Sequence, residues 1–250
     1  MAGHYTTSEI ARKAGVHPNT VRLYEEWGFL PPVPRNASDY RLFTKQHLDQ
    51  MRLARAALHG QWPGKEIRES ALALVRKAAS GDLDGALAQA TGHLALVQAE
   101  QAKAEVAAQH LEHWAEGTTG DTIEAPLWIG DAARLLDATP DMLRNWERNG
   151  LLTVPRDPCN GYRLYGASEL ERLRVIRMLN LAGYSQMAIL RMMLHLDRQG
   201  AGDLRQVLDT PRPDEDILTA ADRWLSTLAE QEERARDLIS QVEAILHKWR

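Results

Sequence analysis

Thr20 to Phe43 reads TVRLYEEWGFLPPVPRNASDYRLF, and this stretch decides how the rest of the chain is parsed. His17-Pro18 opens a helix just upstream, because proline at the first helical position gives up only an amide that has no intrahelical acceptor. Gly28 closes that helix. Pro31, Pro32 and Pro34 cannot continue it and impose an extended arm, Asn36-Ala37-Ser38-Asp39 is turn chemistry, and Tyr40 to Phe43 is a β-type run. The stretch is a short helix with a hairpin wing beside it.

Upstream, Thr6 and Glu9 can form a capping box before Ile10, Ala11 and Ala14, the inward face of a short helix that Gly15 ends. Two short helices in succession read as helix-turn-helix. Downstream, Thr44 can cap a helix carrying Leu48, Met51, Leu53 and Leu58, and Trp62-Pro63-Gly64-Lys65-Glu66-Ile67 starts another.

The residues Thr20, Val21, Arg22, Tyr24, Glu25, Gly28, Leu30, Pro32, Arg35, Tyr40, Arg41 and Phe43 fall in one register. In that register the stretch resembles the MerR family of bacterial transcription regulators, whose usual pattern is roughly T-I-R-x-Y-E-x-x-G-L-L-x-P-x-R, a turn, then G-Y-R-x-Y. Asp39 stands where the family has glycine.

The stretch occurs twice. Arg144 lies 122 residues after Arg22, and at that offset, without a gap, Ala11/Ala133, Pro18/Pro140, Glu25/Glu147, Gly28/Gly150, Leu30/Leu152, Tyr40/Tyr162, Arg41/Arg163 and Arg55/Arg177 are identical. A helix start at Tyr184-Ser185-Gln186-Met187-Ala188-Ile189 parallels the one after Trp62. Repetition at a fixed offset means two copies of one supersecondary unit.

Each copy is followed by a long amphipathic helix with a seven-residue apolar repeat, which argues for a coiled-coil seam. The first carries Leu87, Ala90, Leu94, Val97, Gln101, Ala104, Ala108 and Leu111; the second Leu225, Leu228, Glu232, Ala235, Ile239, Val242, Leu246 and Trp249. The domains expected are therefore a first head over 4–81, a long helix over 82–115, a polar linker over 116–126, a second head over 127–209 and a second long helix over 210–250. The resemblance implies antiparallel pairing of such helices, here within one chain, setting Leu87 opposite Trp249 and Leu111 opposite Leu225. The fold expected is mainly α: two winged helix-turn-helix heads with small β-wings, braced as a single-chain, monomeric pseudo-dimer. The alternative, each long helix pairing with another molecule, gives a dimer with four heads.

Charge supports local rather than general contact with nucleic acid. The 250 residues carry a formal net charge of −4, but His4 to Gly60 is net +3 and Leu127 to Gly183 net +1, leaving −8 for the remainder. Positive heads on an acidic frame neutralise phosphates where they touch them, so generic DNA binding should be weak and steeply salt-dependent. On the first recognition helix Asn19 and Arg22 suit adenine and guanine edges. Tyr24, Arg35, Tyr40 and Arg41 suit phosphate. Their counterparts are Asp141, Arg144, Trp146, Arg156, Tyr162 and Arg163. A lone surface arginine is more often a solvated charge and a lone tyrosine a core ring; recurrence of the set at one offset favours a shared role. Asp141 for Asn19 and Trp146 for Tyr24 make the heads unlike, so an imperfect palindrome is the expected operator.

No apolar run approaches the roughly 18 residues a membrane helix needs, and Met1-Ala2-Gly3 leads into polar sequence, so a cytoplasmic protein without membrane contact is expected. One cysteine, Cys159, excludes an internal disulfide and a multi-thiolate metal site, and His110 with His113 reads as a solvated face. No nucleophile–base pattern or phosphate loop supports an enzyme, and no cofactor is expected. The partners implied by the resemblance are double-stranded promoter DNA and RNA polymerase on the same promoter, whose overlong spacer such regulators bend and untwist. Two other readings stay open. Trp62, Trp114, Trp128, Trp224 and Trp249 could line a pocket for a drug or small-molecule effector, and an architectural or excision factor would bind DNA without activating a promoter.

Overall fold

The computed structural model describes residues 4–60, 63–117, 125–211 and 220–249; Trp62 and positions 118–124 of the linker lie outside them. The chain is mainly helical and divides into two compact units, Met1–Ala99 with Leu228–Arg250, and Glu100–Thr227.

The first unit contains α1 (Thr7–Ala14), α2 (Pro18–Glu26), α3 (Lys45–Leu58), α4 (Lys65–Ala79), the first part of α5 (Leu83–Ala115) and most of the last helix, α11 (Trp224–Trp249). Thr6 and Glu9 form the capping box of α1, satisfying two amides that have no helical acceptor. His17 caps α2, its Nδ1 accepting from the Asn19 amide at 3.2 Å, with Pro18 in the first turn. Ile10, Val21, Phe43, Met51, Leu53 and Leu74 are fully buried in one core, each stabilising it by about 1.5–3 kcal/mol. Ala86 and Ala90 of α5 and Leu238, Val242 and Ile245 of α11 complete that core. Gln50 ties it together, donating to the Phe29 carbonyl at 3.0 Å and the Val75 carbonyl at 2.9 Å.

The second unit repeats the plan with α6 (Ile129–Leu135), α7 (Pro140–Arg148), α8 (Ala167–Leu181) and α9 (Gln186–Gln199), packed with the rest of α5 and the start of α11. It also has α10 (Leu204–Asp209) and a 3-10 turn at Ala220–Arg223, which have no counterpart between α4 and α5. Buried Arg191 holds this addition, donating to the carbonyls of Val207 at 2.7 Å, Leu208 at 2.8 Å and Asp222 at 3.1 Å. Tyr184 donates its hydroxyl to the Ala104 carbonyl of α5 at 3.1 Å, and Trp224 its indole N–H to the Ala182 carbonyl at 2.7 Å. The Trp224 ring occupies the space a side chain at Gly183 would need, since a Cβ there would lie 2.6 Å from it.

Two expectations are revised. In place of β-wings, the described residues hold isolated antiparallel bridges: Tyr5–Phe43 and Arg35–Arg41 in the first head, Leu127–Tyr165 and Arg156–Arg163 in the second. Prolines in each arm remove the amides a longer ladder would use. The second revision is the seam. Ala90, Val97, Ala104 and Leu111 are buried, but the stripe is completed by Ala86 and His93, and in α11 by Gln231, Leu238 and Ile245. Trp249, expected opposite Leu87, donates to Asp49 of α3 at 3.2 Å.

Candidate nucleic-acid interface

On α2, Asn19 and Arg22 project from the face opposite buried Val21, and Arg22 donates to the Asn19 side-chain oxygen at 3.1 Å. The hairpin lies beside this helix because Arg41 reaches back across it: its Nε donates to Glu25 Oε2 at 2.6 Å, both side chains being partly buried. Pro34 and Leu42, then Asn36 and Tyr40, hold the hairpin arms by backbone hydrogen bonds of 2.8 and 2.9 Å. The Asn36 side chain accepts from the Ser38 and Tyr40 amides. Asp39 adopts φ +62, a left-handed conformation that aspartate tolerates better than most residues, and its carboxylate takes Arg35 at 2.9 Å. Tyr40, 71% exposed, stands at the tip.

The second head builds the same constellation with different partners. Arg144 pairs with Asp141 at 2.5 Å on the exposed face of α7. Arg163 donates to Glu147, which also lies 3.7 Å from Arg156. Tyr162 is 67% exposed and meets Trp128 edge-on, the ring centroids 6.0 Å apart. Gly161, with φ +74, fills the left-handed position that Asp39 holds in the first head.

The gapless repeat conceals a shift. Leu164 donates to the Pro155 carbonyl and Asp157 to the Tyr162 carbonyl, the roles of Leu42 with Pro34 and Asn36 with Tyr40. Arg156, not Asp157, is therefore the structural counterpart of Arg35. The second arm is one residue shorter and its turn one residue longer, and the offset of 122 resumes at Gly161.

Of the sequence-predicted residues, Asn19, Arg22, Arg35 and Tyr40 are exposed in the first head, as Asp141, Arg144, Arg156 and Tyr162 are in the second. The aromatic pair is placed elsewhere. Tyr24 is only 8% exposed and Trp146 2%, because each falls three residues after a buried apolar residue, Val21 or Leu143, on the inward face. Tyr24 packs edge-on against Phe29, and burial raises the pKa of its hydroxyl, an effect nearby Arg55 opposes. Arg41 and Arg163 are half-buried ties between hairpin and helix rather than free cations. Sequence reasoning missed their partners, Glu25 and Glu147, although both recur at the offset.

Other singled-out residues stand apart. Cys159 is exposed in the second hairpin turn, and among the described residues no group of three or more His, Cys, Asp or Glu could hold a metal ion. Trp224 is buried and Trp128 meets Tyr162 of the hairpin edge-on. No helix among the described residues is long and apolar enough to cross a membrane.

Comparison with known proteins matches two parts of the chain to one family. The MerR HTH family regulatory protein model covers residues 5–74, and the MerR family regulatory protein model covers residues 129–165. The HTH-type transcriptional regulator CueR of Salmonella typhimurium is 38% identical over 50 residues, 20% of this chain and 36% of that protein. CueR of Vibrio cholerae is 41% identical over 46 residues, 18% of this chain and 33% of that protein. A probable heavy metal-dependent transcriptional regulator of Haemophilus influenzae is 30% identical over 115 residues, 46% of this chain and 81% of that protein. The chain thus spans about a third of the length of the CueR proteins it matches. No solved structure matches.

Proposed function

The chain belongs to the MerR family of HTH regulatory proteins, and from that premise we propose that it is a DNA-binding transcription regulator, not an enzyme, that reads one promoter site with two unlike heads. The observation that carries the reading is the duplication of one exposed element: a short helix presenting Arg22 beside Asn19, and a second presenting Arg144 beside Asp141, each flanked by a hairpin with an arginine and an exposed tyrosine. Arg22 and Asn19 suit guanine and adenine edges in the major groove. Arg35 and Tyr40, with Arg156 and Tyr162, suit phosphates that fix each head in register. Arg41 and Arg163 act through Glu25 and Glu147, holding the hairpin at the angle that lets it follow the backbone.

Asp141 beside Arg144 repels phosphate and accepts from cytosine, so the second half-site differs from the first and the operator is an imperfect palindrome. Each unit combines one head with residues of the long helix from the other half of the chain, which supports a monomeric pseudo-dimer whose domains run 4–81, 82–115, 116–126, 127–209 and 210–250. The promoter spacer is distorted on binding, and RNA polymerase on the same promoter is the partner that reads the distortion.

The test is the mass of the protein alone and on a duplex from its own upstream region, by light scattering. One chain of about 28.1 kDa per duplex, protecting two dissimilar half-sites, is the expected result. Two chains per duplex, or two identical half-sites, would overturn the single-chain reading.

A further inference from the structure

The two recognition helices are copies of one another, and one exposed position differs in a way the fold does not require. Wound at about 3.6 residues per turn, Asn19, Arg22, Leu23 and Glu26 fall within about 100° of arc on α2, opposite buried Val21 and Tyr24. All four are exposed, Leu23 at 40%. At the offset of 122 they become Asp141, Arg144, Asn145 and Arg148. Leu23 is thus the one apolar side chain of the four, and the second head has an amide in its place.

A single exposed leucine is ordinary on a protein surface, and its place is what gives this one meaning. The core takes nothing from it. Val21 and Tyr24 fill the inward face of α2 as Leu143 and Trp146 fill that of α7, where the same helix forms with Asn145. Trp27 follows one turn later and is itself 50% exposed, so it leaves Leu23 open. Helical side chains lean toward the N-terminus, which sets Leu23 over the turn that carries Asn19. A recognition helix meets base edges with its N-terminal residues, so Leu23 stands within that reach and Trp27, at the far end, does not.

We propose that Leu23 is a specificity-determining residue that reads a thymine through its 5-methyl group, at a base pair beside those met by Asn19 and Arg22. The inference rests on the DNA-binding reading given above. Leucine can neither donate nor accept a hydrogen bond, so it gains free energy in the groove only where it meets apolar surface and releases water. The major-groove edges of the four bases carry one methyl group, that of thymine. Asn145 of the second head, whose side-chain oxygen accepts from Asn149 at 3.5 Å, is suited instead to an adenine edge. One helix position thus reads a methyl in the first half-site and a hydrogen-bonding edge in the second.

The test is a uracil scan of the upstream duplex with the full chain. Each thymine of the protected site is replaced in turn by deoxyuridine, which removes the methyl group and leaves every hydrogen-bonding edge unchanged. Fluorescence anisotropy should show one such replacement weakening binding about threefold to fivefold, the worth of one buried methyl group. Leu23→Ala should bind the unmodified duplex more weakly by at least about that factor and be indifferent to that replacement, while keeping the wild-type response to uracil elsewhere. Leu23→Asn, which installs the second head's own residue, gives the same loss of the methyl effect should the alanine variant misfold. A wild-type chain indifferent to uracil at every thymine, or folded Leu23 variants as sensitive as wild type at every thymine, overturns the proposal. Equal binding of upstream and scrambled duplexes by the wild type overturns the DNA-binding reading and this inference with it, whereas discrimination without a methyl effect removes the role of Leu23 alone.

Discussion

In the first head Glu25 takes one arginine, Arg41, and Arg35 pairs with Asp39 inside its own turn; in the second, Glu147 takes Arg163 and stands within ion-pair distance of Arg156. The same helix-plus-hairpin plan is thus fastened in two ways. Surface pairs such as Arg35–Asp39 contribute roughly 0–1 kcal/mol, so a phosphate can displace Asp39 and recruit Arg35. Arg156 also bonds within its own turn, donating to the Gly161 carbonyl at 3.2 Å, but with glycine there its nearest carboxylate is Glu147 on the helix, at 3.7 Å. The two heads share the framework and differ in which carboxylate stands beside the arginine of each turn.

The largest effect that would break this comparison is on the recognition helices. Arg22→Ala should weaken binding to the upstream duplex by about 1–3 kcal/mol, if it reads a base, and Arg144→Ala by less, because Asp141 already neutralises its guanidinium. Anisotropy titrations measure both, and an equal or greater loss from Arg144→Ala would erase the asymmetry. Next, Glu147→Gln should cost about 1–2 kcal/mol in urea unfolding and Glu25→Gln less, since charge-assisted hydrogen bonds are at stake and two arginines face Glu147; identical midpoints would show that Arg156 adds nothing.

Asp39→Gly should leave stability within about 0.5–1 kcal/mol, because relief of the left-handed strain offsets the loss of the Arg35 pair. It should also strengthen binding to all sequences and steepen the salt dependence by about one phosphate contact. An unchanged salt slope would mean that Arg35 never meets phosphate.

The smallest effect is a pH dependence carried by two buried histidines of the first unit. Burial lowers the pKa of His47 below its ordinary 6.5, partly offset by the Pro32 and Pro31 carbonyls, and burial lowers that of His93 likewise. Both are neutral when folded and take up a proton more readily when unfolded. Their contribution is therefore present above about pH 6.5 and lost as pH falls through the folded pKa. Glu169 occupies the His47 position in the second head. His47→Gln should flatten the decline in unfolding midpoint below that pH; an unaltered slope would remove His47 from the account.

The sequence carried much of the framework because its signals are local. The Thr6–Glu9 box, Pro18, Thr44 and the arm prolines act on their own neighbours, and the repeat multiplied each signal by two. What it hid depends on distance in the chain. Tyr24 matches a motif and Trp146 stands at the same place in the second copy, yet each lies three residues after a buried position, so their burial was legible from periodicity but outweighed by resemblance. Glu25 and Glu147 reveal their role only when the hairpin folds back over 16 residues. The seam shifted because α5 and α11 bury a face against the heads as well as against a helix, which a heptad count does not register. Arg191 with α10 has no counterpart in the first copy, so repetition gave no hint of it.

The shifted hairpin has a practical corollary. Gly28 to Tyr40 and Gly150 to Tyr162 are cassettes of 13 residues each, with matched ends and different interiors. A genetic exchange cut at those glycines and tyrosines preserves chain length and the flanking register, whereas one cut at Arg35 and Asp157, as the ungapped comparison suggests, splices a long arm to a long turn. Chimeras joined at the first pair of boundaries should accept either wing as an interchangeable part.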